Sequence, residues 1–175
     1  TLSLGSTGLL GNGTYAGAIS NASALIFGSN SNQTLSGVIS GVGALTKNGA
    51  SILALSGTNT QTGTTTLNAG TLAVNSTGAL GTCALVIAGG SLDNTSGSAK
   101  IHTGIGLQYW NADFTFIGSA SLTLGTAGAG GDITLSSDRI ITVTANEFSI
   151  GSRITGSGRS ITKNGAGTLT LAGPN

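Results

Sequence analysis

Any chemistry in this chain must come from few side chains. The carboxylates are Asp93, Asp113, Asp132, Asp138 and Glu147. They face six Lys or Arg residues, one histidine (His102) and one cysteine (Cys83). A polysaccharide lyase or hydrolase needs two convergent acids, or a base beside an arginine or a calcium ion. Asp113 and Asp132 stand 19 positions apart, a spacing that would bring them together in a fold of stacked coils. Asp138 and Arg139 are adjacent and would project to opposite faces of a strand, with Asp138 in a turn before Ile140. Solvated corners and turns account for these acids better than a reaction centre does. His102 has no second His or Cys close by, so it reads as an exposed or packed histidine and not as a ligand. Cys83 opens the apolar run Cys83-Ala84-Leu85-Val86-Ile87 and reads as a small core residue; no basic neighbour would lower its pKa.

Two further groups stand out. Tyr109 and Trp110 adjoin Phe114 and Phe116, the densest aromatic patch. One of the first two should be exposed if they lie on a strand, and an exposed ring could stack on a sugar; the favoured reading is an aromatic set that fills the interior. Lys47 and Lys163 each stand before Asn-Gly, which suggests hydrogen bonding at a turn. The Gly-Val-Gly and Gly-Ser-Gly triplets precede no helix, so they are not phosphate loops. The Asn-x-Ser/Thr triplets at Asn12, Asn21, Asn32, Asn75 and Asn94 are expected by chance at this composition. No catalytic, cofactor-binding or metal-binding residue is nominated, and the chain is read as not an enzyme.

The elements that would position these groups are short strands. Gly (31), Thr (26), Ser (22) and Asn (13) make up more than half of the 175 residues, and charged residues are 6%. Helix is disfavoured by that composition. Disorder is disfavoured too, because 38% of residues are hydrophobic and there is one Pro. Apolar residues alternate in brief runs: residues 1–4, 52–55, 71–74, 121–124, 141–143 and 168–171. Turn residues bound them, at Gly49, Gly57, Asn68 to Gly70, Gly89-Gly90 and Gly128 to Gly131. At least a dozen strands of three to six residues are expected.

The chain also repeats itself. Thr46-Lys47-Asn48-Gly49-Ala50 returns as Thr162-Lys163-Asn164-Gly165-Ala166, and Leu53, Leu55, Gly57 and Asn59 fall on Leu169, Leu171, Gly173 and Asn175. Residues 1–11 match residues 71–81 at seven of eleven positions. A sandwich would not need the same strand sequence twice, and a propeller would need evenly spaced blades. A parallel β-helix needs it, since each coil stacks on the last and presents the same face. Coils of about 20 residues would number roughly eight or nine, a rod on the order of 40 Å long. By the repeat alignment the ends look cut, since joining Asn175 to Thr1 would omit the equivalents of residues 60–70. A fragment of a longer protein is the plain reading; a unit whose open ends stack is the sharper one.

Residues 37–49, 53–63 and 68–72 together resemble the autotransporter-associated β-strand repeat, and residues 154–175 resemble a second, truncated copy. Trp110 to Phe116 and Ile133 to Val143 look like spacers common between such repeats. The organisation that follows is one solenoid segment over 1–175, with repeat copies at about 37–74 and 154–175 and a spacer over 82–153. The resemblance implies a right-handed β-helix in the passenger of a large bacterial surface or secreted protein, where the repeat is linked to passenger folding and export. Its partners would be the rest of the passenger chain, a host or environmental surface or glycan, or another copy end to end. Nucleic acid and membrane are excluded as partners: the net charge is +1 with no basic cluster, and the longest apolar run is far too short to span a bilayer. No signal-peptide pattern is read. The alternatives to a structural stalk are an adhesin or glycan-binding module, a stacking filament subunit and, less favoured, a polysaccharide-degrading β-helix; an ice-binding face lacks a regular Thr array.

Overall fold

The computed structural model describes residues 1–126 and 131–174. Asn175 and the glycines at 128 and 130, named above as repeat partner and turn residues, lie outside the described residues. Among the described residues, twenty-two strands of two to five residues follow one another in eight coils. Coil 1 holds β1 (Leu2–Leu4), β2 (Thr14–Tyr15) and β3 (Ile19–Ser20). Coil 2 holds β4 (Ala24–Phe27), β5 (Gln33–Leu35) and β6 (Ile39–Ser40). Coils 3 and 4 hold two strands each, β7 (Ala44–Lys47) with β8 (Ile52–Leu55), then β9 (Thr65–Leu67) with β10 (Thr71–Val74). Coil 5 has β11 (Leu85–Ile87), β12 (Ser91–Asp93) and β13 (Lys100–His102). Coil 6 has β14 (Gln108–Trp110), β15 (Phe114–Phe116) and β16 (Leu122–Leu124). Coil 7 has β17 (Ile133–Leu135), β18 (Arg139–Val143) and β19 (Glu147–Ile150). Coil 8 has β20 (Ile154–Thr155), β21 (Ile161–Asn164) and β22 (Thr168–Leu171).

Each strand pairs in parallel with its counterpart one coil away. The first face is one eight-stranded sheet from β1 to β20, and the second is another from β2 to β21. The third face carries β3 and β6, then irregular chain in coils 3 and 4, then the four-stranded sheet β13-β16-β19-β22. The single helical element among the described residues is a 3₁₀ turn at Gly11–Gly13. The fold is the expected all-β parallel solenoid. Register fixes a coil length of 20 residues between Leu25 and Leu45 and 25 between Gln108 and Ile133.

Alternation decides what enters the interior. On the first face Leu25, Leu45 and Leu85 share one inward column, and Phe27, Leu67, Ile87, Trp110 and Leu135 share another. The second face supplies Leu53, Leu72, Leu92, Phe116 and Val143. Trp110 packs edge-on against Phe114 at 5.1 Å between ring centroids, and Phe116 stacks on Phe148 at 4.9 Å. Corners are made by residues that fit where one coil lies almost on the next. At the corner between the first two faces, a Cβ on Gly70 would stand 2.2 Å from the Gly49 carbonyl, and Gly70 has φ +68°. Only glycine meets both conditions.

The structure corrects one expectation about the repeats. Thr46-Lys47 lies on β7 of the first face, whereas Thr162-Lys163 lies on β21 of the second. Likewise Thr1 to Leu4 runs into β1 of the first face and Thr71 to Val74 is β10 of the second. The repeated sequences therefore do not present the same face. The repeat at 46 and 162 shares a strand, a corner and the next strand, the repeat at 1 and 71 a strand and the chain that leaves it, and each fits at more than one place in the cross-section.

Candidate functional site

The charged and polar side chains nominated above are dispersed, and most serve the backbone. Asp113 and Asp132 do not stack, contrary to the expectation from their spacing: Asp113 precedes β15 on the second face and Asp132 precedes β17 on the first. Coils of 24 to 27 residues in this part of the chain carry the two acids to different sides. Asp113 Oδ1 accepts from the Ile140 amide at 2.9 Å and lies 3.8 Å from the Arg139 guanidinium. Asp132 pairs with Arg153 at 2.5 Å on the surface. Asp138 accepts from the Ser160 amide one coil on. Glu147 accepts from the Thr170 hydroxyl. Asp93 is buried and accepts from the Asn94 and Ser119 amides and the Ser119 hydroxyl at 2.7–2.8 Å. Among the described residues no three His, Cys, Asp or Glu side chains gather as a metal set, and no helix is long and apolar enough to cross a membrane.

The interior holds the more unusual chemistry. Lys47 occupies the inward column between Phe27 and Leu67 and is fully buried. Its amine donates to the Gly49 carbonyl and to the Ala69 carbonyl of the next coil. Burial pushes its pKa down to about 8. Lys163 makes the equivalent bond to Gly165 O at 2.5 Å but stands exposed in coil 8. The turn role inferred for both lysines holds, although the burial of Lys47 was not anticipated. His102 is packed inside: Nε2 accepts from the Leu80 amide at 3.0 Å, and burial lowers its pKa to about 4. Cys83 is a buried core residue whose thiol is raised by burial and donates to Thr65 Oγ1 at 3.2 Å. Gln61 Oε1, His102 Nδ1, Gln108 Oε1 and Trp110 Nε1 are buried without a partner among the described residues.

Sequence reasoning passed over two residues. Arg139 is buried and donates to the carbonyls of Trp110, Asn111 and Asp138 and to the Ser136 hydroxyl, tying coil 7 to coil 6. Its parity with Ile141 and Val143 was the available signal. Asn59 lies on the irregular third side of coil 3. It accepts from the Ile39 amide at 2.8 Å and donates to the Ala79 carbonyl at 2.6 Å, so one side chain joins coils 2, 3 and 4.

The aromatic pair divides as alternation requires. Trp110 is fully buried, so it offers no stacking platform. Tyr109 is the outward ring, half-buried on the first face between Val86 and Thr134. Leu107, half exposed, and the Asp132–Arg153 ion pair lie on the same side.

The passenger-associated-transport-repeat family, PATR, matches residues 45–74 and 161–175. These two segments are similar to the passenger-associated transport repeat. The PATR matches fall inside the two copies read at about 37–74 and 154–175, and are shorter at their N-terminal ends. The first spans β7 to β10, and the second starts at β21. No curated protein and no solved structure matches the chain.

Proposed function

We propose that this chain is a structural segment of an autotransporter-like passenger: a β-helical stalk that aids passenger folding and export and displays other parts of a bacterial surface or secreted protein. The observation that carries the reading is where the polar chemistry goes. Lys47, Arg139, Asn59 and Asp93 spend most of their hydrogen bonds on backbone groups of their own or adjacent coils, and the rest on Ser136 and Ser119 hydroxyls. Such bonds stiffen a rod and leave little for a substrate. The PATR matches support the passenger assignment, and with it a secreted or surface location. Nothing in the arrangement of acids favours catalysis.

Export is the direct test. The segment is placed in a passenger ahead of an outer-membrane barrel, and surface exposure is compared with that of a Gly70→Val variant, whose corner cannot close. Surface display that falls with the variant supports the reading; equal display of both removes the folding role.

A second reading, a glycan-binding module, is favoured by the outward Tyr109 beside Thr134 and the Asp132–Arg153 pair. Glycan-array binding by wild type that is lost in Tyr109→Ala would establish it. Binding by neither protein would end it.

A further inference from the structure

We propose that Cys83 and Gln61 form an internal thioester, a covalent link between successive coils at one corner of the solenoid. This goes beyond the stalk reading and does not depend on it, since it rests on how these two side chains pack.

The corner that leads into the first face is the place. Leu45, Thr65, Leu85, Gln108 and Ile133 form one register column. Two residues before them stand Gly43, Gly63, Cys83, Gly106 and Gly131. The coils lie so close here that a Cβ on Gly63 would run into the Gly43 carbonyl, and one on Gly131 into the Leu107 amide. Of these five corner residues only Cys83 has a side chain, and it is fully buried. Gln61, two residues before Gly63, is fully buried as well. Its carbonyl accepts from the Thr82 amide at 3.2 Å, so Gln61 lies one turn before the segment that carries Cys83.

Thr65 ties the pair together. Its Oγ1 accepts from Gln61 Nε2 at 2.9 Å and from Cys83 Sγ at 3.2 Å. A nucleophile and the carboxamide it would attack are thus held on one hydroxyl. Burial raises the Cys83 pKa, while the Thr65 hydroxyl and amide, the Gln61 side chain and the amide of Cys83 itself act the other way, so the carboxamide also touches the sulfur directly. A second observation is independent of the thiol. Gln61 Oε1 is buried with no hydrogen-bond partner among the described residues. An amide oxygen left unpaired in the interior is costly. A thioester carbonyl is a weaker acceptor, and the link carries no N–H donor to satisfy.

The step balances within the three side chains. Sγ attacks Gln61 Cδ, and an S–C bond forms. The thiol proton passes to Thr65 Oγ1 as that hydroxyl gives its own proton to Nε2. The Cδ–Nε2 bond then breaks, ammonia leaves, and Oε1 becomes the thioester oxygen. Nothing is oxidised or reduced. Contact in a fixed geometry supplies the high effective concentration that a protonated thiol needs, and the step has to occur only once per molecule. Water, which would hydrolyse the product, is kept away because Gln61, Thr65 and Cys83 are all fully buried. The link closes a loop over residues 61–83 and restricts the unfolded chain as a disulfide does.

Mass spectrometry of the folded, purified chain reads the result. Wild type should be lighter than its sequence by one ammonia, and once denatured its Cys83 should resist alkylation by iodoacetamide. Hydroxylamine added in denaturant should free the thiol and leave a hydroxamate at residue 61, located by peptide mapping. Cys83→Ser should keep its full mass. Gln61→Ala should keep its full mass too, with a thiol that alkylates completely on unfolding. Full mass and a fully alkylated thiol in wild type, both fresh and after days of incubation in the folded state, overturn the proposal. So does a loss of ammonia that is undiminished in Cys83→Ser, which would come from ring closure at a site such as Asn48-Gly49.

Discussion

Lys47 and His102 show how an isolated ionisable group is held inside a coil, and each makes stability depend on pH. Folding lowers the Lys47 pKa from 10.5 to about 8. Between those values the unfolded chain binds more protons, so stability rises as pH increases from about 8 to 10.5. Melting temperatures across that window should climb for wild type and stay flat for Lys47→Met. Folding lowers the His102 pKa from 6.5 to about 4. Here too the unfolded chain binds more protons, so stability falls as pH drops from 6.5 toward 4. The loss should be on the order of 2–3 kcal/mol, read by denaturant titration at several pH values. His102→Gln should abolish most of that dependence. Asn59→Ala tests the polar stitch between coils. It strands a buried amide and a buried carbonyl and should lower stability by about 2–4 kcal/mol.

At the scale of elements the corner limits the fold as much as the strand does. Gly70→Ala should destabilise by more than about 2 kcal/mol in chemical denaturation, because the added methyl meets the Gly49 carbonyl on a left-handed backbone. The strands themselves were legible in the sequence: each alternating run named there is a strand, because two-residue periodicity is a local property. That one of Tyr109 and Trp110 faces out was legible for the same reason, but which one was not, because the residue at Trp110's parity in its strand is the polar Gln108. Placement around the cross-section was not. The distance from Asp113 to Asp132 matched a coil, yet local coils run longer, and length accumulates in corners that leave no periodic mark. The irregular third side in coils 3 and 4 was hidden too, since Asn59 and Gln61 enter the interior there without a strand pattern. Lys47 was readable by parity with Leu45, but its charge argued against a buried place, and only the corner carbonyls explain it.

At the scale of the whole molecule, eight coils at about 4.8 Å each make a rod about 40 Å long. Small-angle scattering from the purified chain should give that length with a narrow cross-section. A compact globule would contradict the stacked sheets. Unfolding should lose its single cooperative step on interruption near the middle, at Gly70 or Asn59, more readily than on changes at the exposed end coils, because a linear stack is stabilised by nearest neighbours.

The appearance of one strand–corner–strand sequence at two different corners has a genetic consequence. A gene segment copied within this coding sequence need not encode whole turns to yield a foldable product. Thirds of a turn suffice, provided the incoming piece begins with a strand and ends past a corner. The rod can thus lengthen by unequal recombination at many breakpoints, and the resulting repeats will sit out of phase with the coil count, as the repeats at positions 46 and 162 do.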